Sequence, residues 1–169
     1  MTLLALNGSH SATSSTHGVA ALAVELHGSG EVVDLVTLDP AGLIGTAESP
    51  DVKAVIDAVA DASILVLVTP IYRATYAGVL KVLFDQLAPS SLEGTAVVLA
   101  ATAGGPAHFL ALDTGMRALV ASLGGWSVPT VTYAGPADFT VGEDGIKIPG
   151  DAVRASLTKA LAEAAVIAG

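Results

Sequence analysis

Short apolar runs alternate with longer stretches of helical spacing along the whole chain. Thr2–Asn7, Val32–Leu38, Ile64–Thr69, Thr95–Thr102 and Ser127–Tyr133 read as strands. Their Val, Leu, Ile and Ala are nearly continuous rather than alternating with polar residues. That is the mark of parallel strands covered on both faces. Ser15–His27, Asp51–Ala60, Ala77–Leu87, Ala107–Leu123 and Asp151–Ile167 carry the helical pattern. The rhythm βαβαβαβαβα predicts an α/β, doubly wound, five-stranded parallel sheet. The expected strand order is 2-1-3-4-5, with right-handed crossovers. Phe139–Gly150, with a turn expected at Asp144-Gly145, reads as a loop. No linker or repeat divides the chain, and residues 1–169 are expected to form one domain.

This topology brings the loops after strands 1, 3 and 4 to one sheet edge, where open α/β sheets bind ligands. The first loop, Asn7-Gly8-Ser9-His10-Ser11-Ala12-Thr13-Ser14-Ser15-Thr16, joins a sharp glycine turn to a series of hydroxyls. A helix begins among them, so its free N–H groups point the same way, and together they make a cradle of neutral donors for phosphate. The loop has neither the Gly-Lys-Ser/Thr of a Walker loop nor the Gly-x-Gly-x-x-Gly of a dinucleotide turn. The same residues would also serve as N-caps in a solvated loop.

The second loop, Thr69-Pro70-Ile71-Tyr72-Arg73-Ala74-Thr75-Tyr76-Ala77-Gly78, has a stiff proline exit and an aromatic ring beside the edge. The third, Thr102-Ala103-Gly104-Gly105-Pro106-Ala107-His108, puts two glycines at a strand end, which suits close backbone approach to a ligand. Each is an ordinary connection by itself. Their shared edge is what points to phosphate at the first loop and a flat heterocycle between the other two.

Composition narrows the partners. The chain of 169 residues is 52% hydrophobic and 14% charged, with a net charge of -9, which excludes intrinsic disorder as the main state. An acidic balance without a basic stripe argues against nucleic acid and against an anionic membrane surface. The absence of cysteine excludes disulfides and thiolate chemistry. No apolar run approaches the ~18 residues of a membrane span, and the N-terminus lacks a basic leader, so a cytoplasmic location is expected.

Three stretches carry a family likeness: Gly8-Ser9 with Ser15-Thr16; Thr69-Pro70-Ile71-Tyr72 through Tyr76-x-Gly78-x-Leu80-Lys81 to Asp85; and Gly104-Gly105 with Ala107-His108-Phe109-Leu110-Ala111-Leu112-Asp113. In these the chain resembles the NADPH-dependent FMN reductases, and among them the flavin reductases that supply sulfonate monooxygenases. The resemblance implies a flavodoxin-like fold and an NAD(P)H:FMN oxidoreductase that uses FMN with NADPH or NADH. It implies that Ser9, Ser11, Ser14, Ser15 and Thr16 hold the FMN phosphate. Pro70, Ile71, Tyr72 and Arg73 would line the ribityl chain and flavin, and Thr102, Gly104 and Gly105 would approach the ring edge. It also implies a homodimer or homotetramer and a monooxygenase partner. Ser11 stands where family members commonly carry Arg, and Thr114 stands where the monooxygenase-supplying members often have an inserted or substituted Tyr. Two related readings use the same pocket: an FMN-containing quinone, azo-dye or metal-ion reductase, and a flavodoxin-type electron carrier without a nicotinamide site.

Single residues add little. His108 sits at a helix start, where capping is the commoner role. Lys81 with Asp85 and Asp113 with Arg117 have the i,i+4 spacing of helix-surface pairs. His10, His17 and His27 show no convergent metal-ligand pattern, and no general acid or base is legible. Trp126 reads as a core or interface anchor.

Overall fold

The computed structural model describes residues 1–105, 110–143 and 145–169. The central parallel strands are β1 (Leu3–Asn7), β2 (Glu31–Asp34), β3 (Ile64–Tyr72), β5 (Ala96–Thr102) and β6 (Trp126–Ala134), in the order β2-β1-β3-β5-β6. In chain order of the five parallel strands this is the expected 2-1-3-4-5. The short strand β4 (Thr75–Tyr76) adds antiparallel to β3 and makes the sheet six-stranded.

Alternation of side chains across the pleat divides the core into two layers. Leu4, Leu6, Leu65, Leu67, Val97 and Leu99 face one cluster with α3 (Pro50–Asp61), α4 (Gly78–Phe84) and α5 (Arg117–Ser122). Leu3, Ala5, Ile64, Val66, Val68 and Val98 face the other, against α1 (Ser15–His27) and α6 (Asp151–Ala168). Burial of each large aliphatic side chain contributes about 1.5–3 kcal/mol before conformational entropy is counted, so both faces are needed to hold the sheet.

Local signals set the best-defined helix. Ser14 caps α1 by accepting from the His17 N–H at 3.1 Å. Gly28 ends it at φ +83°, donating to the carbonyls of Val24 and Glu25.

The structure corrects several boundaries. The Val32–Leu38 run is strand only to Asp34, because its partner β1 ends at Asn7 and the ladder stops there. Leu35–Thr37 then forms a 3-10 turn that buries Leu35, and Pro40–Leu43 adds the short helix α2, capped by Asp39. Ile64–Thr69 extends to Tyr72, since Pro70 still pairs with Thr102 and Ile71 and Tyr72 pair with β4. The supposed loop Phe139–Gly150 contains a hairpin, β7 (Phe139–Val141) and β8 (Lys147–Pro149). Within the expected helix Ala107–Leu123, Leu112–Met116 is π-helical and α5 follows it; Pro106–Phe109, including His108, lie outside the described residues, as does Asp144. Among the described residues no helix is long and apolar enough to cross a membrane.

Candidate active site

The loop after β1 is fixed by a buried polar network. Asn7 is fully buried; its side-chain amide donates to Asp34 Oδ1 at 2.7 Å, and its Oδ1 accepts from the Ser9 N–H at 3.0 Å. His17 Nδ1 lies 2.8 Å from the same Asp34 oxygen. A carboxylate only accepts, so His17 carries its hydrogen on Nδ1 in this arrangement. Strand end, neighbouring strand and first helical turn are thereby joined at one point. Ser9 Oγ accepts from the Ser11 N–H at 3.2 Å, which tightens the turn. Gly8 packs closely against α4: a Cβ there would come within 2.8 Å of Leu80 Cδ1, and the buried leucine side chain would have to move.

The second loop is a tight hairpin. Arg73 and Ala74 have φ of +52° and +65°, the left-handed pair that a two-residue turn between β3 and β4 demands, although neither is glycine. Thr69 Oγ1 accepts from the Ala77 N–H at 2.9 Å and so ties strand exit to helix entry. Tyr72 is 48% exposed, and its ring centroid lies 5.7 Å from that of His10 on the first loop.

At the third loop, Ala103 donates its N–H to Ala134 O at 3.2 Å. The Tyr133 hydroxyl faces the carbonyls of Ala103 and Gly105 and holds the glycine turn to β6. Burial pushes the Tyr133 phenol above its usual range, so the hydroxyl keeps the proton it donates. Thr16 Oγ1 meets Thr102 Oγ1 at 2.9 Å, linking the first loop's helix to the end of β5.

These elements enclose a cleft of about 530 Å³ at the C-terminal edge of the sheet. Of the expected site residues, Ser9, Ser14, Ser15, Thr16, Pro70, Ile71, Tyr72, Thr102 and Gly104 line it together. Ser11, Arg73 and Gly105 lie outside its lining: Ser11 Oγ turns to Thr13 at 3.3 Å, Arg73 occupies the hairpin tip, and Gly105 is held back by Tyr133. The opposite wall consists of Ala134, Gly135, Pro136, Phe139, Val141 and Lys147, none of which the sequence reading singled out. The signal was there: Phe139-Thr140-Val141 and Lys147-Ile148-Pro149 flank a glycine-containing turn, the pattern of a short hairpin.

The remaining candidates fall elsewhere. Lys81–Asp85 and Arg117–Asp113 form their helix-surface pairs. Arg117 also donates to the carbonyls of Val128 and Pro129, at 2.7 and 2.9 Å. Those residues lie where β6 bulges against β5, and Glu163 takes the Thr130 N–H at 2.8 Å from the other side. Trp126 is 65% exposed at the start of β6, so it is not a core anchor.

The donor set suits a flavin mononucleotide: hydroxyls at a helix N-terminus for the phosphate, a proline-stiffened edge for the ring, and, among the described residues, no carboxylate in the lining to repel an anion. A Cβ built at Gly104 meets nothing within 4 Å, so that backbone faces open space and is not packed against the protein. Sheet order, switch-point cleft and neutral phosphate-type loop define a flavin-binding domain of the flavodoxin-like class.

The chain belongs to the NADPH-dependent FMN reductase family, which it matches over residues 1–140. It is an NAD(P)H:FMN oxidoreductase with FMN and a nicotinamide as its cofactors. An FMN reductase (NADPH) of Pseudomonas aeruginosa is 33% identical over 139 residues, covering 82% of this chain and 73% of that one. The NADH-dependent FMN reductase SfnF of Pseudomonas putida is 32% identical over 147 residues, covering 81% and 78%. The apo structure of an NADH:FMN oxidoreductase, EMOB, superposes with a TM-score of 0.84 at 30% identity, covering 98% of this chain and 88% of that chain.

Proposed function

We propose that the cleft binds FMN with its phosphate on Ser9, Ser14, Ser15 and Thr16 and its ring system between Pro70–Tyr72 and Thr102–Gly104, and that the chain releases reduced FMN to a partner monooxygenase. The observation that carries the binding mode is the convergence of those residues, from three separate loops, on one cleft. When bound, FMN supplies the redox chemistry by accepting a hydride from the nicotinamide. The chain binds the phosphate, presents the ring face, and offers the Gly104 backbone N–H to charge at the ring edge. No side chain is assigned as acid or base.

Release of flavin is supported by the thin aromatic lining. Among the described residues only Tyr72 and Phe139 bring rings to the cleft, and Tyr72 is half exposed. Each missing stacking contact forgoes ~0.5–1.5 kcal/mol. Affinity in the micromolar range, about -8 kcal/mol, follows. The monooxygenase reading is supported by the likeness to the SfnF reductase, whereas Thr114, within the π-helical turn Leu112–Met116, departs from the Tyr that the monooxygenase-supplying members often carry there.

The test is anaerobic turnover of NADPH and NADH with excess FMN, after desalting without flavin. Many equivalents of FMN reduced per protomer are expected. A stoichiometric yellow protein that keeps its FMN through dialysis, and passes electrons to a quinone, would replace this reading with the prosthetic-group reductase. A protein that oxidises neither nicotinamide would point to an electron carrier. A homo-oligomer is part of the same proposal, supported by the exposed apolar residues Val141 and Ile148 beside the cleft. Sedimentation of only monomer at micromolar concentration would remove it.

A further inference from the structure

The first loop carries Ser11 where the family resemblance implies an Arg, and a lysine stands on the opposite wall of the cleft. Lys147 of β8 lines it with Ser9, Ser14, Ser15 and Thr16, and among the described residues no other Lys, Arg, Asp or Glu does so. Its position is set by close packing. A Cβ at Gly18, one turn into α1, would lie 2.1 Å from the Lys147 carbonyl oxygen, so the hairpin backbone rests directly on the helix that begins at Ser15. Five of the chain's seven Lys and Arg residues are committed to carboxylates: Lys53, Lys81, Arg117, Arg154 and Lys159. Lys147 makes no ion pair among the described residues, and Arg73 sits at the tip of the second loop, outside the lining.

We infer that Lys147 is a phosphate-binding residue of the flavin site, supplying from the hairpin the positive charge that Ser11 does not. The inference rests on the FMN reading above and adds to it a specificity determinant. The neutral hydroxyls can bind a phosphate but also tolerate its absence. A lysine ammonium on a flexible stem distinguishes FMN from riboflavin by charge, because hydrogen bonds with an ionised donor are about twice as strong as neutral ones. In a chain of net charge -9, a lysine on the wall facing the hydroxyl cradle also offsets the general repulsion of a dianion.

The experiment is flavin-fluorescence titration of the full chain with FMN and, separately, riboflavin, for the wild type, Lys147→Met and Lys147→Arg, each checked for folding by circular dichroism. Lys147→Met keeps an apolar stem of similar length, and should lose about tenfold in FMN affinity with riboflavin binding unchanged. Lys147→Arg should restore most of the FMN preference. An equal loss for both flavins would make Lys147 a mere wall residue and overturn the assignment, as would unchanged FMN affinity in Lys147→Met. A wild type that binds FMN no more tightly than riboflavin would instead remove the phosphate reading itself, and this assignment with it.

Discussion

The two walls of the cleft are built differently. The wall after β1 is held largely by contacts between near neighbours: Ser14 caps the helix it precedes, and Ser9 is fixed by Asn7 and in turn holds Ser11. Asp34, at the end of the adjacent strand, completes it. The wall formed by Ala134–Lys147 owes its place to distant chain segments. Tyr133 reaches to the third loop, and the hairpin lies on α1 only because Gly18 has no side chain. One wall is therefore a folded local motif, and the other depends on how closely two elements approach. Substitutions should separate them.

The largest effect is expected at Gly18. In Gly18→Val the branched side chain meets the Lys147 backbone, which cannot swing away as a flexible side chain would. A stability loss of about 2–3 kcal/mol is expected in urea unfolding. Proteolysis within the hairpin should rise more than elsewhere. A variant with wild-type stability would show that the two elements do not touch as described.

Asp34→Ala tests the opposite wall. It removes the acceptor shared by Asn7 and His17 and leaves a fully buried amide without its partner. The expected cost is about 1–3 kcal/mol, with hydrogen-exchange protection lost around Ser9–Ser11 and kept in the hairpin. Equal loss of protection in both walls would erase the distinction between them.

Tyr133→Phe removes a single hydroxyl, and about 1 kcal/mol of stability should go with it. The glycine turn should become more mobile, with weaker flavin binding and little change in the cooperativity of unfolding. Unchanged exchange at Gly104 and Gly105 would count against the anchoring role.

Glu163→Gln is the mildest. The Thr130 hydroxyl, then its N–H, hold the Glu163 carboxyl below the usual carboxylate range. A depressed folded-state value stabilises the protein above the ordinary carboxylate value and is lost as pH falls through the folded one. Glu163→Gln should therefore lower the melting temperature slightly at pH 7, and the difference from wild type should close as the solution is acidified. A difference that stays constant down to pH 2 would show that charge is not what Glu163 contributes.

Hydrophobic periodicity by itself determined the parallel strands, their order, the covering helices and the edge at which three loops converge. These are consequences of neighbours along the chain, because burial on both faces makes a strand continuously apolar and a helix repeats its apolar face every turn. Loop chemistry was legible for the same reason, since Ser14 acts on His17 and Ser9 on Ser11. The family likeness added which flavin the loops would hold. Tertiary structure alone decided the rest. The second strand ended at Asp34 because its partner ran out, β6 bulged where Arg117 and Glu163 could satisfy its backbone, and a segment read as loop became a hairpin bearing Phe139 and Lys147. The hairpin left a signal in its flanked glycine turn, but strands of three residues carry too little periodicity to set it above a loop, and Gly18 shows its purpose only when a carbonyl from far along the chain lies against it.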